Sequence, residues 1–155
     1  MKTSIGAYIE QFTEVQQEEP WFGESLQTIL ERISPEDALK KGPGKSNIIR
    51  LLWHCIKWRQ SLIERLKGTP DYRARVEDPD NWLEFDDPKM SDWPAAMARF
   101  DAQFTEIISL LNQKDDSLLE QEFQPGRNYK TLIEGVLQHD IYHFGQIALL
   151  HSIMK

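Results

Sequence analysis

Apolar residues recur along the chain at the three- to four-residue spacing of amphipathic helices, and Pro- or Gly-rich breaks separate these stretches. The pattern predicts four main helices, at 4–17, from 47 to about 67, from 93 to about 112 and from about 129 to 153. A shorter helical stripe near 26–33 stops at Ser34-Pro35. Almost no alternation with a period of two appears, so the sequence predicts an all-α four-helix bundle with short additional helices.

The segment from residue 68 to about 90 is a long connection between the second and third main helices. It is rich in Pro, Asp and Arg, and it contains Trp82 and Phe85. We expect these aromatic rings to pin it to the bundle, or to cap the mouth of a cleft as a lid. A connection of this length also allows the two helices that it joins to run parallel, as they do in crossover bundles.

Composition narrows the class of protein. The 155 residues suffice for one domain, 1–155, with 40% hydrophobic and 28% charged residues. No apolar run approaches the ~20 residues of a membrane span, and the N-terminus lacks the apolar core of a signal peptide. A net charge of -7 disfavours nucleic acid, and the single Cys55 excludes an internal disulfide. These features predict a cytoplasmic protein with no membrane or nucleic-acid partner.

Two of the four histidines, His139 and His143, are spaced i and i+4 on the last predicted helix. Their Cβ atoms are therefore expected about 5–6 Å apart, so both rings can reach one metal ion. They fall on the stripe that points to the core, together with Leu132, Val136, Gln146 and Leu150. Two adjacent buried imidazoles are costly unless they are paired, and a metal ion pairs them.

His54 is the candidate third ligand. It lies 85 residues upstream of His139, at the edge of the apolar arc of the most amphipathic helix. Three neutral imidazoles with water form an open, catalytic type of site rather than a closed structural one. Core histidines satisfied by hydrogen bonds are the alternative. His151 is turned roughly 120° from His139, so we expect a surface residue that binds no metal.

Four further residues near these histidines have two interpretations each. Asp140 is either a hydrogen-bond partner in the surroundings of the metal or a solvated helix residue. Gln146 either hydrogen-bonds a bound water or substrate, or packs as a polar side chain. Trp58 lines the pocket or belongs to the core. Cys55 is turned ~100° from His54 towards the core, which favours a buried inert thiol over a nucleophile.

Two segments resemble a known family. The first is Leu137–Ile147, which reads Leu-Gln-His-Asp-Ile-Tyr-His-Phe-Gly-Gln-Ile, and the second is Leu52-Trp-His-Cys-Ile56 upstream. The family that they resemble is the DinB/YfiT-like superfamily. An early Trp21-Phe-Gly and the Trp-containing connection follow in the order of that family, so the resemblance covers nearly the whole chain. It implies an up-down-down-up four-helix bundle, usually a homodimer. It also implies a three-histidine metal site, on His54, His139 and His143.

The resemblance also suggests a chemistry. Characterised members of the superfamily include metal-dependent thiol S-transferases that use bacillithiol, mycothiol or related thiols, and an isomerase that uses mycothiol. The leading hypothesis is therefore a transferase whose partners are a low-molecular-weight thiol and an electrophilic substrate. For the metal we expect Zn or Ni, with Fe or Mn as alternatives that imidazole also accepts.

Two other functions remain open at this level. The run His139-Asp140-x-x-His143 is similar to the His-Glu-x-x-His helix of zinc peptidases, which suggests a hydrolase with a metal-bound hydroxide. Asp140 is one methylene shorter than that glutamate, and the third histidine lies upstream rather than downstream. In the third interpretation the protein is a non-enzymatic stress-response or binding module, and the metal only stabilises the bundle.

Overall fold

The computed structural model describes residues 4–84, 89–90 and 92–155, apart from the side chain of Lys45. Six α-helices occupy most of this range: α1 Ile5–Gln17, α2 Leu26–Glu31, α3 Pro35–Leu39, α4 Ile48–Leu66, α5 Asp92–Asn112 and α6 Tyr129–Met154. Short 3-10 turns lie at Pro43–Lys45 and Asp116–Glu120. The four long helices α1, α4, α5 and α6 pack around one apolar core, so the predicted all-α bundle is confirmed.

Contacts between α4 and α5 show that these two helices run parallel. The Gln103 side chain donates to the carbonyl oxygen of Ile56 at 3.0 Å, and further along both helices Lys67 pairs with Glu106. Residue numbers therefore rise in the same direction on both helices. The long connection makes this possible, because parallel neighbours need a crossover that returns to the first end of the bundle.

The last helix, α6, runs antiparallel to α4. Arg59 pairs with Asp140, whereas Arg65, one turn and a half later on α4, accepts a hydrogen bond on its carbonyl oxygen from the Tyr129 hydroxyl. Along the line of contact, residue numbers therefore rise on α4 while they fall on α6. This crossing carries the middle of α4 past the middle of α6, which is where the predicted metal ligands lie.

Helix α1 completes the arrangement by running antiparallel to α5. The Gln16 side-chain amide donates to Asp101 in the middle of α5, and the Ile5 backbone amide donates to Asp116 just beyond the end of α5. With α4 parallel to α5 and α6 opposite to α4, the four long helices are arranged up-down-down-up. This is the order that the family resemblance implies.

Two elements were not predicted from the sequence. Residues 34–45 were expected to form only a polar connection, but α3 forms there, and the Ser34 hydroxyl caps it by accepting from the Asp37 amide. A two-stranded antiparallel ladder, Glu122–Gln124 with Arg127–Asn128, precedes α6 and turns at Gly126, whose φ is 73°. Glycine suits that left-handed turn position because it has no Cβ. Both elements are too short to show a hydrophobic period.

The prediction that His151 is a surface residue was wrong. Its side chain is buried, with 4% of its surface exposed, and its Nε2 lies 3.7 Å from an Asp37 carboxylate oxygen. The unpredicted α3 causes this burial by packing against α6 and covering the face that carries His151. The roles expected for Phe85 and for a Ser91 helix cap lie outside the described residues. Within the described ranges, no helix has the length and apolar character that crossing a membrane requires.

Candidate metal centre

His54 from α4 meets His139 and His143 from α6 in one cluster, as the sequence predicted. One ring nitrogen from each histidine lies within 4.8 Å of the other two. The Nε2 atoms of His54 and His139 are 3.0 Å apart, and the three ring centroids are separated by 4.4 to 4.9 Å. The antiparallel crossing of α4 and α6 supplies this geometry, because the i, i+4 pair on one helix faces a single residue of the other.

Two groups from the long connection hold the His54 ring. Its Nδ1 lies 2.7 Å from the carbonyl oxygen of Asn81, and the Trp82 ring stacks on it with centroids 3.7 Å apart and planes within 4°. A carbonyl oxygen only accepts, so Nδ1 carries the proton and donates it. The Nε2 lone pair of His54 is left to face the cluster, the orientation that a metal-binding histidine needs.

The His143 ring is oriented in the same manner from the opposite side. Its Nδ1 lies 2.6 Å from the Gln146 amide oxygen, one turn later on α6. With the amide oxygen accepting, His143 also presents an Nε2 lone pair. Gln146, one of the residues with two interpretations, thus positions a histidine. The Nδ1 of His139 is buried without a hydrogen-bond partner among the described residues, which leaves this ring incompletely satisfied.

Burial keeps all three imidazoles neutral. It lowers the pKa of His54 and of His143, and it lowers the pKa of His139 from 6.5 to about 3, with His143 and His54 adding to the effect. A histidine binds metal in its neutral form, so the cluster is in the ligand state at neutral pH. Fixed tautomers, an orphaned ring nitrogen and neutral rings together make these residues fit a divalent metal ion.

Stability of the metal-free protein should fall on acidification below about pH 6.5, and His139 should be responsible for part of the fall. The pKa of His139 is lower in the folded protein than the unfolded value of 6.5, so the unfolded chain binds this proton more readily. The stabilisation that neutral His139 provides is complete above pH 6.5 and is lost as the pH falls towards about 3. The loss is at most about 1.4 kcal/mol for each pH unit, because one proton is involved. Urea unfolding at about pH 7 and about pH 5 measures it. A His139→Gln variant should show a smaller decrease, and an identical decrease contradicts the assignment.

Asp140 adopts neither of its predicted roles. Its side chain is fully buried and forms an ion pair with the Nε of Arg59 at 2.7 Å, and no described hydrogen bond joins it to a histidine. Burial raises the pKa of this carboxyl group, and the Arg59 charge opposes the rise. Asp140 therefore anchors α6 to α4 inside the core, one residue away from His139.

A second group of metal-type ligands, Cys55 with His139 and Asp140, also has its atoms within 4.8 Å of one another. Its chemistry is unfavourable for a metal. Cys55 is completely buried, and burial together with the Asp140 charge raises the pKa of its thiol well above its usual value. The Asp140 carboxylate is already paired with Arg59. This agrees with the predicted inert thiol and leaves the three histidines as the candidate metal site.

The histidine cluster opens into a cavity of about 630 Å³, called here the histidine cavity. Trp58 lines it, as one of its two interpretations proposed, and donates its indole N–H to the Asn81 side-chain oxygen at 3.1 Å. Leu132 and Val136 from α6 form an apolar wall. A ligand can therefore reach the histidines through this cavity.

Sequence reasoning missed Asn81 and Arg59, which support the site. Asn81 holds His54 through its backbone carbonyl, a group that every residue has, so no sequence signal marks it. Arg59 is separated from Asp140 by 81 positions, and only the fold shows that they meet. A charged residue on the apolar face of α4 was the available signal, since buried arginines are nearly always paired.

Fold and site together define a class of protein: an up-down-down-up helical bundle with an open cluster of three histidines able to hold a metal ion. The chain belongs to the DinB superfamily, whose family model matches residues 21–147. Comparisons with curated proteins and with solved structures each gave no significant match.

Proposed function

We propose that this protein is a metal-dependent transferase that uses a low-molecular-weight thiol against an electrophilic substrate. The observation that carries the proposal is the set of three neutral imidazoles, from two helices, that line one cavity. These ligands add no negative charge, so a bound divalent ion retains its Lewis acidity and lowers the pKa of a coordinating thiol. Superfamily membership supports the choice of a thiol.

The chain's own residues supply orientation and a largely apolar pocket. Asn81 and Gln146 fix the rings of His54 and His143 so that their lone pairs converge. Trp58 and Trp82 cover the cluster from the side of α4 and the connection. The cavity volume lies in the range of about 300–1,000 Å³ that small-molecule sites occupy, so it has room for a thiol and an electrophile together.

Hydrolysis is the weaker candidate. A mechanism like that of zinc peptidases would need Asp140 as a general base, and its carboxylate is buried and bonded to Arg59. No lining residue of the histidine cavity is acidic among the described residues. The cavity offers no carboxylate to accept the proton of an attacking water.

Thiol transfer is tested by a panel of thiols and electrophiles with the untagged, metal-loaded protein. We expect turnover with at least one physiological thiol such as bacillithiol, mycothiol, glutathione or cysteine, detected by loss of free thiol. A His139→Ala variant should be inactive because it lacks a ligand, whereas Cys55→Ala should remain active because the Cys55 thiol is buried. Inactivity with every thiol, or loss of activity in Cys55→Ala alone, contradicts the proposal.

A chelator melt separates this enzyme from the third function, a binding module in which the metal only stabilises the bundle. The transferase should keep its fold and lose activity when the metal is removed, since its core is complete without it. A large fall in melting temperature without detectable turnover at any stage would favour the structural role.

The homodimer that the family resemblance implies stays a prediction, and one feature supports it. Tyr142, Leu149 and Ile153 lie on one face of α6 and are 64%, 62% and 60% exposed. Because they are spaced seven and four residues apart, the three side chains form a continuous apolar stripe along the helix. A second copy of the chain could bury such a stripe about a two-fold axis, and the sedimentation coefficient of the protein tests this.

A further inference from the structure

A second cavity of about 380 Å³ lies beside the histidine cavity, and four arginines line it. We call it the arginine cavity, after Arg65, Arg73, Arg75 and Arg127. None of its described lining residues is acidic. The chain as a whole carries a net charge of -7, so this concentration of positive charge is local and runs against the overall balance.

Arg65 provides the main evidence that the arginine cavity binds a ligand. Its side chain is buried, with 6% of its surface exposed, and its guanidinium lies over the Phe123 ring at 4.7 Å. It donates only to the Ser61 hydroxyl and carbonyl, while its Nε has no hydrogen-bond partner among the described residues. Burial lowers the pKa of Arg65; Tyr129 and Tyr72 oppose this effect, and the Arg127 charge adds to it. The positive charge is therefore desolvated, and no described carboxylate pairs with it.

Arg59 shows how this protein treats a buried arginine elsewhere. It lies on the same helix, is also buried and has the Asp140 carboxylate as its partner. No described carboxylate comes within 4.0 Å of Arg65, Arg73 or Arg127. Since an unpaired buried charge is strongly destabilising, an anion from outside the chain is the expected partner.

The two cavities adjoin each other. They share Trp58, Val76, Phe123, Arg127 and Leu132 as lining residues. Arg127 stands at the boundary and faces both spaces. A single extended molecule can therefore reach the histidine cluster with one end and the arginines with the other.

We propose that the arginine cavity binds the anionic end of the substrate or thiol, as carboxylate or phosphate groups, while its other end reaches the histidine cluster. The part of this proposal that concerns the histidine cluster rests on the proposed function, and the part that concerns the arginine cavity does not. Guanidinium groups form paired, charge-assisted hydrogen bonds with both kinds of anion. Three exposed arginines around one buried arginine match a molecule that carries more than one negative charge.

Calorimetric titration of the metal-free protein with inorganic phosphate and, separately, with succinate tests the arginine cavity. The protein solution must contain no residual chelator with carboxylate groups, because such a chelator would compete for the arginines. We expect saturable binding of at least one anion, and the tighter of the two identifies phosphate or carboxylate as the natural group. Arg127→Gln and Arg73→Gln should each weaken binding about ten-fold or more, because each removes a hydrogen bond to a charged group.

A control makes the result specific. Arg32→Gln removes the same charge outside both cavities and should bind the anion as the wild type does. Absence of saturable binding, or equal weakening in Arg32→Gln, overturns the proposal. The titration needs neither metal nor turnover. A failed thiol assay would therefore leave this result intact, and absent anion binding would leave the thiol chemistry standing.

Discussion

Replacing His54 by alanine will lower the affinity of the protein for Zn or Ni by more than about 100-fold. The variant keeps His139 and His143 on α6 but removes the only ligand that α4 supplies. Loss of an outer hydrogen-bond partner costs about 10- to 100-fold in metal affinity, and loss of a ligand should cost more. Elemental analysis of the untagged protein, followed by competition with a chromogenic chelator, measures the change.

Two further variants grade this effect. Gln146→Leu removes the group that orients His143, so its affinity should fall by about 10- to 100-fold. His151→Ala removes the one histidine outside the cluster and should leave affinity unchanged, since His151 lies against Asp37 instead. Equal losses in His54→Ala and His151→Ala, or a wild-type protein that binds no divalent ion, would refute the three-histidine site.

The four long helices were predictable because each repeats its apolar pattern over several turns. Helix α4 has 19 residues and α6 has 26, so local irregularities average out. Ser4 and Asn47 are of residue types that favour helix caps, and they accept the capping hydrogen bonds of α1 and α4. The length of the connection between α4 and α5 allowed their parallel pairing without requiring it.

Short elements and their consequences were not predictable in the same way. Helix α3 has five residues, too few for a hydrophobic period, and its formation depends on packing against α4, α5 and α6. The burial of His151 then depends on α3. A helical wheel treats every residue outside the main apolar arc as exposed, and it cannot anticipate a neighbouring element that covers that face.

The three histidines of the cluster could be identified from the sequence, but the residues that support them could not. The i, i+4 spacing of His139 and His143 places them on the same face of a helix. His54 is a further histidine on a strongly amphipathic helix. The backbone carbonyl of Asn81 and the ring of Trp82 come from an irregular segment. Their positions depend on how that segment folds over α4, which no periodicity describes.

Asp140 illustrates a further limit, since its neighbour in sequence is a candidate ligand while its own side chain points into the core. Arg59 meets it there and also donates to the Phe100 carbonyl at 3.2 Å and to the Gln16 side-chain oxygen at 2.8 Å. One guanidinium thus connects α1, α4, α5 and α6. The network holds α6 against α4 directly beside His139, so the geometry of the site depends on it.

Replacing Arg59 by methionine should therefore destabilise the metal-free protein by about 3–5 kcal/mol, because it leaves the Asp140 carboxylate buried without a partner. Urea unfolding at neutral pH measures this loss. The double variant Arg59→Met/Asp140→Leu removes both charges and should recover most of the stability. Lys67→Met, which breaks the surface pair between the end of α4 and Glu106 of α5, should have little effect on stability. A loss in Arg59→Met as small as that in Lys67→Met would show that the buried pair does not hold the bundle together.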